Sequence, residues 1–322
     1  MTTPLPDAIA DVISGRIEPF SISELRESAQ SLSTGYRSRE NMRSTLSPLA
    51  VAAYLGARFP STYAVAHHVW LNIAAQIAPA RLTSVLDVGA GPGTASWAAH
   101  DLLPAARFTL LERDASWRDT ASAFAAALGA QMTFAQGAFD ATEALVEHDA
   151  VVACYALNEL PEARRGASIE RLWRAARRVL IVIEPGTPLG FGVVRDVRDR
   201  VLENGGHVMA PCTHNLACPM TASDWCHFPL RVQRPAIQRS LKQAELGYED
   251  EKFSYVVLSR EPNTASDAGR IIRKPIRAKG HLHLDACARG QIVRHTLSKK
   301  QGDLYRDAKD ADWGDVWPAQ LR

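Results

Sequence analysis

Short apolar, β-branched runs alternate with alanine-rich stretches between about residue 83 and residue 184. The runs Ser84–Val88, Phe108–Glu112, Met132–Ala135, Ala150–Tyr155 and Val179–Glu184 each predict a strand. The stretches Gly93–Leu103, Ala115–Leu128, Ala141–Val146 and Glu162–Ala176 predict helices between them. Strands apolar on both sides and joined by helices imply a parallel sheet covered on both faces. Right-handed crossovers then give a doubly wound, Rossmann-like α/β sheet with its ligand crevice beyond the carboxyl ends of the strands. The first 80 residues read as helical instead. Ser21-Ile22-Ser23-Glu24 is a capping box, and Leu25, Ala29 and Leu32 follow at helical spacing. From Tyr63 to Ile77, Ala66, Val69, Trp70 and Ile73 share one face, and His67 and His68 read as helix histidines rather than ligands.

After Glu184 come Pro185-Gly186-Thr187-Pro188, a charged helix around Arg195–Arg200, a cysteine-rich segment, a last strand at Phe253–Leu258 and a break at Pro262-Asn263. The organisation expected is a helical region 1–80, an α/β domain 81–262 with a cysteine-rich insertion at 207–230, and a basic extension 263–322.

Composition narrows the class. Hydrophobic residues at 46% and charged residues at 22% are globular values and exclude wholesale disorder. The longest aliphatic run, Val179–Ile183, is far short of the ~20 residues that span a bilayer. The first 20 residues hold Asp7, Asp11 and Glu18 against Arg16, unlike an acid-poor transit peptide. These features predict a soluble, cytoplasmic protein without a membrane partner. Charge is unevenly spread: between Arg270 and Lys300 nine basic side chains face only Asp285, within a chain of net charge +2. Such a block reads as a footprint for a polyanion, most often nucleic acid, or as a solvated basic tail.

Asp87-Val88-Gly89-Ala90-Gly91-Pro92-Gly93-Thr94 joins a predicted strand to a predicted helix. Glycines there permit the tight turn and let a ligand approach the backbone, while free amides at the helix start face the same crevice. A dinucleotide fingerprint wants its third glycine at position 94, which is Thr94. An acid two residues before the first glycine, as Asp87 is, resembles instead the S-adenosylmethionine (SAM) sites of class I methyltransferases. That resemblance implies that Gly89, Gly91 and Gly93 lie against the methionine end of the cofactor and that Glu112 binds the ribose hydroxyls. A carboxylate suits that task because it can accept two protons at once. The resemblance further implies that Gln136, with Gly137, lies near the adenine. Asn158, after the fourth strand, joins the cofactor-side set, and the adjacent Glu159 is the one candidate base for an acceptor that carries a proton. Asp87 and Glu112 could equally cap strand ends, and Glu159 could hold its loop or pair with Arg164. The Asn/Asp-Pro-Pro-aromatic motif of amino-group methylation is absent after the fourth strand, and Cys154, between Ala153 and Tyr155 within that strand, does not make the Pro-Cys pair of cytosine C5 enzymes.

Five cysteines in such a chain do not read as disulfides. Cys154 lies alone in an apolar run, whereas Cys212, Cys218 and Cys226 fall within fifteen residues, with Cys287 sixty residues on. Thiolates gathered in fours select zinc or an iron–sulfur cluster. Structural zinc sites usually show pairs two to four residues apart, and wide, irregular gaps fit a cluster better; zinc with a histidine in place of one thiolate stays open.

Pro211-Cys212-Thr213-His214, Cys218-Pro219-Met220, Asp224-Trp225-Cys226-His227-Phe228 and Glu249–Tyr255 resemble a methyltransferase-like family of the mitochondrial small ribosomal subunit that has bacterial members. Glu184-Pro185-Gly186-Thr187-Pro188 and Asn158-Glu159-Leu160 fit the same family, over about residues 45 to 300. The resemblance implies a SAM-type domain, a [4Fe–4S] cluster on Cys212, Cys218, Cys226 and Cys287, and binding of small-subunit ribosomal RNA during assembly, with the 270–300 block as the RNA contact. Ligation of Cys287 would tie that block down, giving a metal-bound C-terminal extension. Two functions compete: a methyltransferase acting on ribosomal RNA, and a non-catalytic iron–sulfur assembly factor that keeps the fold. A third is a small-molecule or protein methyltransferase with structural zinc. The oligomeric state is not readable from the chain.

Overall fold

The computed structural model describes residues 4–38, 46–221, 223–262 and 268–317. Asn263 of the expected break, and residues 263–267 and 318–322 of the expected extension, lie outside the described residues. The chain divides into two compact units: Met1–Arg177 with Leu230–Glu251, and Arg178–Pro229 with Lys252–Arg322.

The first unit opens with helices α1 (Asp7–Ile17), α2 (Ile22–Ser38), α3 (Pro48–Ala57) and α4 (Phe59–Ala74). The capping box forms as the sequence predicts: Ser21 N–H donates to Glu24 at 2.8 Å and Glu24 N–H to Ser21 Oγ at 3.3 Å. Helix α3 starts on a Ser47 cap with Pro48 in its first turn. Val65, Val69, Trp70 and Ile73 of α4 are buried, and Trp70 Nε1 donates to the Ala95 carbonyl at 3.1 Å. His67 stacks on Tyr63 and His68 contacts Asn72, the structural roles expected of them.

Then follow β1 (Ser84–Val88), α5 (Thr94–His100), β2 (Arg107–Glu112), α6 (Ala115–Leu128), β3 (Met132–Gln136), β4 (His148–Cys154) and α7 (Glu162–Ala175). The four strands are parallel in the order β3-β2-β1-β4. β1 is buried at every position, as its unbroken apolar run requires. The order reverses at β1, so a crevice opens beyond the carboxyl ends of β1 and β4. The helix expected at 141–146 does not form; those residues are bends and coil. Six residues are too few to hold a helix without a buried face. Val146 is 75% exposed, and Arg171 takes the Phe139 and Glu143 carbonyls.

The remaining elements are β5 (Ala176–Pro185), α8 (Pro188–Glu203), β6 (His207–Ala210), β7 (Phe228–Gln233), α9 (Ala236–Leu241), β8 (Tyr248–Ser259), β9 (Gly269–Ile271), β10 (Ile276–Ala278), β11 (His281–Ala288), β12 (Gln291–Ser298), α10 (Asp303–Asp310) and β13 (Val316–Trp317). Within the second unit β8 pairs antiparallel with β5 and with β6. The basic block is no solvated tail. It folds as a small antiparallel sheet, β10-β11-β9-β13 with β12 on β11, over a core of Ile271, Leu282, Leu284, Leu297, Ala308 and Trp317. The alternation His281-Leu282-His283-Leu284 carries that core at strand period.

Candidate functional site

In the first unit the loop after β1 supplies the crevice floor. Gly91 and Gly93 hold φ of +55° and +82°, a region that side chains other than glycine enter only under strain. A Cβ on Gly93 would lie 2.6 Å from Leu110 and 2.7 Å from Trp97 Nε1, whereas one on Gly91 would meet nothing within 4 Å. Gly93 therefore serves packing, and Gly91 faces open space. A Cβ on Gly89 would lie 3.0 Å from both Ala156 and Phe139, so this loop meets the chain just beyond β4.

Glu112 is buried at the end of β2, and its carboxylate accepts the Gly91 N–H and the Asp114 N–H, each at 2.8 Å. Gln136 pairs with Glu112 in register, and Gly137 N–H donates to the Glu112 carbonyl at 3.3 Å. The structure thus gathers Gly91, Glu112 and Gln136 at one rim. Asp87 is 1% exposed and accepts the Ser96 N–H at 3.1 Å and the Ser96 hydroxyl at 2.8 Å. Burial pushes its carboxyl up to about 7 although the Ser96 bonds work the other way. Through Ser96 it fixes the first turn of α5. Asn158 and Glu159 lie in the 3-10 turn Leu157–Glu159 beyond β4. Burial raises Glu159 to about 7 against the opposing Arg113, and Glu112 adds to the rise. The pairing of Glu159 with Arg164 is not seen: Arg164 is largely exposed on α7 and bonds Asp140 at 3.2 Å. Cys154 ends β4 and is half-buried.

In the second unit Cys212, Cys218, Cys226 and Cys287 line one cavity, together with His214, Arg198 and Arg270. The thiols come from three separate stretches of chain, so the fold converges what the sequence scatters. His214, which sequence reading left among polar neighbours, stands 3.5 Å from the Cys287 sulfur through Nε2. Among the described residues no three His, Cys, Asp or Glu side chains are grouped closely enough to hold a single metal ion. Burial raises Cys212 and Cys226 as thiols and pushes Cys287 up to about 12, with Cys212 and Cys218 adding to it.

Arginines hold the cysteine-bearing segments. Arg270 Nε donates to the Pro211 carbonyl at 2.7 Å, and Arg198 donates to the carbonyls of His214 and Leu216. Arg195 donates to the Met220 carbonyl at 3.1 Å, and Arg273 pairs with Asp224, two residues before Cys226. Ser254 Oγ donates to the Cys226 carbonyl at 2.8 Å. Sequence reading took Arg198 for one residue of a charged helix; it is 4% exposed.

The family described as mitochondrial small ribosomal subunit Rsm22 matches residues 48–318. The human ribosome assembly protein METTL17, mitochondrial, is 28% identical over 287 residues, 82% of this chain and 62% of its own length. The ribosome assembly protein RSM22, mitochondrial, of Saccharomyces cerevisiae is 24% identical over 245 residues, 44% of this chain and 39% of its own. The chain thus spans less than two thirds of the length of either relative. A solved magnesium protoporphyrin IX methyltransferase from Synechocystis aligns at 15% identity with a TM-score of 0.43, covering 72% of this chain and 94% of that one. The match across 48–318, on an α/β Rossmann-like sheet preceded by helices, makes this chain a member of the Rsm22 family.

Proposed function

We propose that this protein binds SAM in the crevice of its first unit, carries a metal group on four thiols in its second, and binds small-subunit ribosomal RNA during ribosome assembly. One observation carries the reading: a single family match spans both the glycine loop with Glu112 and all four cysteines. The open space above Gly91, with Glu112 and Gln136 on the same rim, fits a nucleoside cofactor. Asp87, Gly89 and Gly93 shape that loop, and Asn158 follows it from β4. SAM supplies an electrophilic methyl group; the residues of this chain need only align an acceptor and, where it carries a proton, remove it. Glu159 is the candidate for that proton.

Cys212, Cys218, Cys226 and Cys287 suit a [4Fe–4S] cluster, since four thiols converge on one cavity. Zinc, with His214 as a ligand, is the alternative. Within the basic block, Arg270, Arg273, Arg277 and Arg294 are hydrogen-bonded inside the protein. Lys274, Lys279, Lys299 and Lys300 are exposed, which leaves these lysines to meet phosphates, with affinity that falls as salt rises. Cys212, Cys218, Cys226 and Cys287 are free thiols, which favours a reducing compartment such as the cytoplasm.

A second reading, a non-catalytic assembly factor, draws support from the missing acceptor motif after β4. Crosslinking of the tagged full chain to RNA in cells, with modification mapping, tests both. Crosslinks in small-subunit ribosomal RNA are expected, and crosslinks confined to other RNA contradict the proposal. Gly91→Arg fills the open space and should abolish SAM binding. Loss of one small-subunit modification with it supports the enzyme; intact modification and assembly support the non-catalytic factor.

A further inference from the structure

We infer that Arg198 is a positioning residue for the four-thiol ligand set, fixing the Cys212–Cys218 loop and supplying positive charge to offset a thiolate-ligated metal group. The inference rests on the ligand assignment proposed above. Arg198 sits on α8 with 4% exposure and lines the thiol cavity. Its guanidinium holds the loop after Cys212 by the His214 and Leu216 carbonyls, and Arg270 holds the same loop at Pro211. Two arginines therefore bracket one ligand.

The charge balance gives the second half of the case. Arg195, Arg198, Arg270 and Arg273 grip the cysteine-bearing segments, yet among the described residues only Asp199 and Asp224 form ion pairs with them. Asp199 is 43% exposed, so most of its charge is screened by solvent. Arg198 Nε has no hydrogen-bond partner among the described residues. A buried guanidinium facing neutral thiols is unfavourable. Facing four thiolates that share a metal group, it is opposite charge in a low-dielectric chamber, where attraction is strongest. Arg198 lines the same cavity as Cys212 and Cys287, the two ends of the ligand set. Partners of this kind, one shell out from the metal, orient ligands and tune the group they hold.

The test uses the full chain purified without oxygen, as parent, Arg198→Gln, Arg198→Lys and Cys226→Ser. Metal content, the rate of metal release to a chelator and, for iron, the midpoint potential are measured, with thermal melts as the check on folding. Arg198→Gln should release metal about tenfold faster or more and shift the potential to more negative values. Arg198→Lys should bring the potential back toward the parent while release stays fast, because charge returns and the planar fork does not. Should Arg198→Gln fail to fold, the lysine variant carries the test through that split between potential and release. If the parent holds zinc, the release rate is the readout. A loaded parent whose Arg198 variants match it in release and potential overturns this inference and leaves the ligand assignment standing. A parent without metal, or a Cys226→Ser chain with unchanged metal, overturns the ligand assignment and this inference with it.

Discussion

The crevice and the thiol chamber are built by opposite means. Backbone makes the crevice: glycines at positive φ, amides turned toward Glu112, and carboxylates at Asp87, Glu112 and Glu159. Side chains make the chamber, with thiols inside and arginines outside them. Their charge differs in the same sense. A rim carrying the Glu112 carboxylate suits a ligand that presents hydroxyls, and an arginine shell suits a group held by thiolates. A single substitution should therefore act locally and sharply in the crevice, where sterics decide, and cooperatively in the chamber, where removing one ligand unmakes the whole set.

The largest effect is expected for Cys226→Ser. Bound metal should be lost and the second unit destabilised by roughly 5 kcal/mol or more, seen as a lower melting transition and early proteolysis there. Retained metal and an unchanged melt would erase the contrast. Next comes a pair inside the crevice. Gly93→Ala should cost about 2–4 kcal/mol by denaturant titration, because its Cβ meets Leu110 and Trp97 as well as an unfavourable φ. Gly91→Ala should cost only about 1 kcal/mol, since its φ is strained but the space is open. Equal costs would mean that the space above Gly91 is not the opening described.

The most conditional effect, absent at low pH, is Glu159→Gln. Burial lifts the folded-state carboxyl to about 7, so its favourable share of stability is full below the unfolded value near 4.5 and is lost as pH rises through about 7. The glutamine variant should match the parent near pH 4 and exceed it by about 1–3 kcal/mol near pH 8. A parent that is the more stable partner at pH 8 would show Glu159 to be held as a wanted charge.

Much of this was legible in the chain because contiguous patterns encode it. The strand predicted at Ser84–Val88 and the helix predicted at Ala115–Leu128 match β1 and α6, since unbroken apolar runs and alanine periodicity are local properties. The glycine loop is equally local. Convergence of Cys287 with Cys212, Cys218 and Cys226 depends on a fold that brings distant strands together, and no spacing states it. Arg198 was hidden among Arg195, Asp196, Asp199 and Arg200, which look like a solvated face. Its place on a stripe with buried Val194 and Val201, at i−4 and i+3, was the available clue. The small sheet β9–β13 was masked by charge, because basic residues sit between its core-facing leucines. The Asp87–Ser96 bonds depend on loop geometry that composition does not carry.

Iron and acid-labile sulfide, measured on the full chain purified without oxygen, bear most directly on the central claim. The account predicts about four of each per chain with brown thiolate-to-iron absorbance, and loss of both in the Cys226→Ser chain. Colourless protein carrying stoichiometric zinc, or protein carrying no metal, would contradict it.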